Sequence, residues 1–251
     1  MAEAVCAHCG GTGWKVTETD GISSAGPCEC RGATRQKSLI QAAAIPANYA
    51  NASLENFVLP RDNPVGRSAM ADVALTVRNY IREYPLLDKP GLLLAGSPGT
   101  GKTHLAAAAL RQLIARGFEG LFFDYQNLLD RIRSGYDKNS GGVDREVYQS
   151  VLDAEVVLLD DLGAHRVTDW VEDTITSIIT FRCNQRRALI ATTNLRDPEL
   201  GDRRGSGLDS DLQSKFFLEE RIGMRARSRL FEMCRVIRMP QVEDYRMRRR
   251  L

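Results

Sequence analysis

No stretch of this 251-residue sequence stays apolar for the roughly 18 residues that a membrane-crossing helix needs. A helical membrane span is therefore excluded. The opening residues lack the basic-then-apolar pattern of a secretory leader, and the expectation is a cytoplasmic protein. In that compartment six cysteines argue against disulfides and for metal binding or burial. A large excess of either charge is missing too. Lys and Arg number 34 against 32 Asp and Glu, a net +2, so any case for a polyanionic partner rests on one region. From Arg221 to the end lysine is absent and ten arginines, Arg221 included, face three acids. Such a run suits a polyanion, although Arg246–Arg250 reads equally well as a solvated tail.

What is present centres on Leu92–Thr103. Leu92 to Ala95 is a short apolar run that reads as a buried strand, and it breaks into Gly96, Ser97, Pro98, Gly99, Thr100, Gly101, Lys102, Thr103 and His104. This is G-x-x-x-x-G-K-[ST] in full, between a strand and a helix expected over Thr103–Arg116. The glycines let backbone N–H groups turn inward around phosphate oxygens. Lys102 is expected to reach the β- and γ-phosphates, and the Thr103 hydroxyl to hold Mg²⁺. The helix aims the positive end of its dipole at the same anion.

From Gly91 onward apolar strands recur at roughly thirty-residue spacing: Leu92–Ala95, Leu121–Asp124, Val156–Leu159 and Leu189–Thr192, with a fifth at Arg235–Met239. Helical stretches separate the first four, as the units of a parallel sheet require. The reading is an α/β three-layer sandwich with its ligands at the carboxyl ends of the strands. The third strand runs straight into Asp160 and Asp161. Asp160 is expected to hold Mg²⁺ through water, and Asp161 to orient or deprotonate an attacking water. Asn194, ending the fourth strand, is placed either to touch the γ-phosphate or that water, or simply to turn the chain.

Ahead of this unit, Cys6-x-x-Cys9 and Cys28-x-Cys30 stand eighteen residues apart, with Gly10, Gly11 and Gly13 after the first pair. Two close cysteine pairs suit tetrahedral Zn²⁺, which can hold together a segment too small for its own core. Free or redox-active thiols are the alternative. The loop between the pairs reads as a small hairpin, and His8 as a bystander. The expected division is a zinc module over 1–40, a connector with a leading helix over 41–88, and a nucleotide-binding domain over 89–251. Within the connector, Lys37–Ala44 reads as a short helix. Residues 67–84 read as a longer one, with Met70, Val73, Val77, Ile81 and Tyr84 inward.

Five phrases together resemble the AAA+ family, and more narrowly the bacterial DnaC/DnaI-type helicase loaders and the related IstB-type transposition ATPases. They are Asn51–Phe57, Gly96–Leu105, Val157–Gly163, Thr192–Leu195 and Glu220–Leu230. The resemblance implies a P-loop ATPase with a five-stranded parallel sheet that delivers a DnaB-type replicative helicase onto single-stranded DNA, using ATP, Mg²⁺ and Zn²⁺ and oligomerising through AAA+ interfaces. The related alternative is an ATPase assisting a transposase on duplex DNA, and a more distant one is a small-molecule kinase. In the family's pattern the arginine finger, which completes a neighbouring subunit's ATP site, falls on Arg229. A structural ion pair is the other reading of that residue. Arg221, Arg225 and Arg229, four apart, read as one basic helical stripe backed by Ile222, Ala226, Leu230 and Met233. Asp161 stands where many relatives carry Glu, and twelve residues after Met239 are too few for the usual helical lid.

Overall fold

The computed structural model describes residues 6–19, 22–134, 143–201 and 217–248. Arg249 and Arg250 of the basic run lie outside the described residues. An antiparallel hairpin, β1 (Trp14–Thr19) and β2 (Ile22–Pro27), is followed by α1 (Cys30–Ala42) and α2 (Pro64–Glu83). Then come β3 (Gly91–Ala95), α3 (Lys102–Ala115), β4 (Gly120–Asp124), α4 (Tyr125–Ser134), α5 (Val143–Asp153), β5 (Val156–Asp160), α6 (Asp169–Asn184) and β6 (Ala188–Thr193). A four-residue helix α7 (Glu219–Ile222), α8 (Met224–Met233), β7 (Cys234–Arg238) and a short α9 (Tyr245–Arg248) complete the order.

Strands β3 to β7 form one five-stranded parallel sheet in the order β4-β5-β6-β3-β7. Its central strands β3 and β5 are buried, largely apolar runs because both faces are covered, whereas the edge strand β7 carries Arg235 and Arg238. Alternate side chains divide between two cores. Leu92, Leu94, Val156, Leu158, Ala188 and Ile190 pack with α2 and α3, while Leu93, Val157, Leu159, Leu189 and Ala191 pack with α4, α5, α6 and α8. This is the expected α/β three-layer sandwich. Because the sheet is parallel and in register, Ala95 lies beside Thr193, Leu94 beside Thr192, and Asp124 beside Asp160. The loops leaving β3, β5 and β6 thus open on one edge.

Three local expectations need revision. The helix expected over Lys37–Ala44 instead starts at Cys30, directly at the second cysteine pair, and ends on the sheet edge, where the Phe122 N–H donates to the Ala43 carbonyl at 2.8 Å. Helix α2 buries Tyr80 in addition to the anticipated Met70, Val73, Val77 and Ile81, and the Tyr80 hydroxyl donates to the Pro90 carbonyl at 2.8 Å. The third revision concerns the basic stripe. Gly223, at φ +82° and ψ 152°, separates α7 from α8, so Arg221 does not share a helix with Arg225 and Arg229. A Cβ at Gly223 would collide with the Glu172 carboxylate, which fixes the break at a residue free to adopt positive φ. The apolar side behaves as expected, with Ile222, Ala226, Leu230 and Met233 all buried.

Helix α6 carries a residue that its apolar face concealed. Arg182, one turn beyond Ile178, is fully buried, and among the described residues no carboxylate pairs with it. Its guanidinium donates to the carbonyls of Val151 (2.7 Å), Ala154 (3.0 Å), Glu155 (3.2 Å) and Ala188, tying the end of α5 to the starts of β5 and β6. Burial pulls its pKa down to about 9. Arg182→Leu is expected to cost about 3–5 kcal/mol, because several buried carbonyls lose their donors at once. Urea unfolding is the measurement. Arg182→Lys should recover little of the loss, since an ammonium cannot reproduce the planar fork.

Candidate nucleotide and metal sites

The phosphate loop turns sharply between β3 and α3. Gly96, Gly99 and Gly101 have φ of +155°, +73° and +88°. Lys102 is buried under the loop, and its Nζ donates to the carbonyls of Gly96 (2.9 Å) and Ser97 (2.8 Å). The Thr100 hydroxyl donates to the Ser97 carbonyl at 2.9 Å. Burial lowers the Lys102 pKa to about 8, against the opposing pull of Asp161 and Asp160.

The sheet order delivers the acids. Asp160 is buried at the end of β5, and Asp161 follows it in the left-handed region at φ +54°. That conformation is uncommon for a residue bearing a Cβ, and it is held from the next strand. The Thr192 hydroxyl donates to Asp160 Oδ1 at 2.6 Å and accepts the Asp161 N–H at 2.9 Å. Asn194 Nδ2 donates to Asp161 Oδ1 at 3.0 Å. Burial pushes the Asp160 carboxyl up, with Thr192 and Thr103 hydrogen bonding pulling the other way. A divalent cation here would stabilise the charged form, and carboxylate and hydroxyl oxygens are the hard donors that Mg²⁺ takes.

Lys102, Thr103, His104, Asp160, Asp161 and Asn194 line one cleft of about 630 Å³ together with loop residues Pro98 to Gly101. Two of its walls were not read from the sequence. One is the stretch taken as a connector, which contributes Asn48, Tyr49, Phe57, Val58 and Pro60. The His104 ring holds it in place, with Nε2 2.9 Å from the Ser53 carbonyl and the Phe57 ring 5.7 Å away. The phrase Asn51–Phe57 was already visible as a resemblance, but nothing local told that it folds over the loop. The other wall is the segment Val242–Arg246.

Arg229 lies elsewhere. It borders a groove formed with Tyr148, Leu152, Thr180 and Phe181 of α5 and α6, and pairs with Glu232 at 2.6 Å, both side chains well exposed. Arg225 borders the same groove, whereas Arg221 donates to the carbonyls of Gly163 (2.9 Å), Ala164 (3.2 Å) and His165 (2.7 Å), just beyond the two acids. Arg227, which the sequence did not single out, makes a two-pronged pair with buried Asp197, both contacts at 2.6 Å.

At the other end of the chain, the sulfurs of Cys6, Cys9, Cys28 and Cys30 all lie within 4.8 Å of one another, with Cys6 to Cys28 at 3.9 Å and Cys9 to Cys30 at 3.3 Å. Four thiolates around tetrahedral zinc stand about 3.8 Å apart given Zn–S bonds of about 2.3 Å. The set therefore fits a zinc ion. The glycines form the knuckle, with Gly10 N–H donating to the Cys6 carbonyl and Cys28 N–H to the Gly13 carbonyl, both at 2.9 Å.

The family model for IstB-like ATP-binding proteins matches residues 30–202. The chain belongs to this family. The match agrees with the resemblance carried by the motif phrases and with a cleft built for a nucleotide. Among curated proteins, the replicative helicase loader DnaC of Escherichia coli (strain K12) is 23% identical over 152 residues, covering 61% of this chain and 59% of that protein. The match thus spans under two thirds of that relative's length. Among solved structures, a DnaC helicase loader is 30% identical with a TM-score of 0.62, covering 78% of this chain and all of that one. The structure titled DnaI shares the fold at 24% identity and a TM-score of 0.58, covering 83% and 98%. Among the described residues, no helix is long and apolar enough to cross a membrane.

Proposed function

We propose that this IstB-like ATP-binding protein is an ATPase that delivers a replicative hexameric helicase onto single-stranded DNA. The observation that carries the reading is one edge of the sheet gathering the phosphate loop, two carboxylates and Asn194 in a single cleft, in a chain similar over most of its length to a DnaC helicase loader. Lys102 and the loop N–H groups would bind the triphosphate, and Thr103 and Asp160 would hold Mg²⁺, which when bound neutralises phosphate charge. Asp161, fixed by Thr192 and Asn194, is positioned to orient or deprotonate water. Arg229, outside its own subunit's cleft, would serve a neighbour in an oligomer. The cysteine module is the proposed helicase-docking unit.

The test is reconstitution. The purified chain with its host's DnaB-type helicase should place that helicase on single-stranded circles in an ATP-dependent manner. Asp161→Asn should retain ATP binding and lose turnover. The match to the IstB-like model over 30–202 favours one other reading, a transposase assistant on duplex DNA. Capture of a transposase and preference for duplex DNA would decide for it.

The depressed Lys102 pKa gives a pH signature. Bound phosphates favour the charged ammonium, so binding should raise that pKa from about 8 towards the ordinary lysine value. Between those values the free protein lacks a proton that the complex holds. Binding should then take up protons above pH 8, and ATP affinity should fall as pH rises. Calorimetry at pH 8.5 in two buffers of different ionisation enthalpy measures the uptake, and no uptake would contradict a Lys102–phosphate contact.

A further inference from the structure

After β7 the chain crosses back over the phosphate loop. The Met239 N–H donates to the Ala95 carbonyl at 2.8 Å, and the Tyr245 N–H donates to the Gly99 carbonyl at 3.1 Å. Between them, Val242 packs against the core beside Gly66. Asp244 sits so close to Gly99 that a Cβ there would collide with its carboxylate. The same carboxylate accepts the Arg246 N–H at 2.8 Å, turning the chain into α9. The strap is therefore seated on the loop by main-chain hydrogen bonds as well as by packing.

Arg246 and Glu243 line the cleft, while the Asp244 carboxylate abuts its loop at Gly99. Arg246 shares the cleft with Lys102, Asp160 and Asp161, and its guanidinium has no hydrogen-bond or ion-pair partner among the described residues. A second cation near a buried lysine, at a loop whose backbone is shaped for an anion, is an arrangement that a polyphosphate would relieve. Guanidinium suits that task, since it stays charged and offers forked donors to phosphate oxygens.

We propose that residues 241–248 complete the nucleotide site of their own subunit, with Arg246 contacting the phosphates of the bound nucleotide and Asp244 opposing them. The proposal rests on reading the cleft as the ATP site. It assigns Arg246 a contact in cis, distinct from the trans role proposed for Arg229. The same strap thus carries one group that tightens binding and one that loosens it.

The opposed signs make the test. Nucleotide affinity is measured on the full chain by calorimetry with MgATP and MgADP at low salt. Arg246→Gln should weaken binding about tenfold, the loss of one charge-assisted contact, and Arg246→Lys should recover part of it. Asp244→Asn keeps an oxygen to accept the Arg246 N–H while removing the charge, and should bind several-fold more tightly. A strap that merely props the loop would lose affinity in both variants. The proposal is overturned if Arg246→Gln binds as wild type, or if Asp244→Asn does not tighten binding. Lys102→Ala separates the premises: if it still binds nucleotide, the cleft is not the ATP site, whereas its failure to bind leaves the strap's role to the other variants.

Discussion

Arg229→Ala should bind ATP with wild-type affinity and hydrolyse it about 10³- to 10⁵-fold more slowly, the range over which a supplied arginine accelerates related NTPases. The side chain borders a groove on α5, α6 and α8 and is not among the residues lining its own cleft. Its pairing with Glu232 is a surface contact between two exposed side chains, weak enough to be exchanged for a phosphate. Helix α8 is nonetheless firmly placed. Ala226, Leu230 and Met233 bury one side, and the Arg227–Asp197 pair ties it to the loop that follows Asn194. The decisive measurement mixes Arg229→Ala with Lys102→Ala subunits, each inactive alone. A mixed interface joins an intact phosphate loop to an intact Arg229, so activity should reappear. If the two variants co-assemble and the mixture stays inactive, Arg229 does not act in trans.

Replacing Cys28 by Ser should abolish stoichiometric zinc, taking one ion per chain to none, and with it the capture of the helicase. Cys28 is the buried member of the set, and its N–H to Gly13 closes the base of the hairpin. The hairpin has little else to hold it: Trp14 and Val16 are 48% and 68% exposed, and the Thr17–Ser24 contact across the strands lies at the surface. A segment with so little buried apolar surface is expected to need a bound metal to fold. Elemental analysis of protein purified without chelator, paired with ATP titration, checks both halves. Nucleotide affinity should stay unchanged, because the cluster and the phosphate loop draw on different residues. Wild-type protein lacking zinc would refute the assignment outright.

Much of the fold could be read in the sequence because its signals are local. Four apolar runs and a mixed fifth, Arg235–Met239, marked the strands to within a residue or so, and the phosphate loop needed only twelve consecutive residues in a strand–loop–helix setting. The cysteine pairs announced themselves by spacing. Arg182 was hidden for the opposite reason: a guanidinium whose two terminal nitrogens bond main-chain carbonyls looks, in sequence, like a charged residue bound for solvent. The Arg221/Arg225/Arg229 stripe failed because periodicity presumes an unbroken helix. The helix breaks at Gly223, which sits at positive φ, and Glu172, some fifty residues away in the chain, leaves no room there for a Cβ.

The sequence by itself determined the chemistry available at the sheet edge: a loop that exposes N–H groups, a lysine, a threonine and two carboxylates at strand ends. Tertiary structure alone decided how these meet. The order β4-β5-β6-β3-β7 sets Thr192 between the two acids and Asn194 against Asp161. It also brings residues 48–60 and 242–246 over the loop as the walls of the cleft. Such contacts join residues thirty to nearly two hundred positions apart. They depend on which strands pair and on what packs above them, and neither leaves a period or a spacing in the chain.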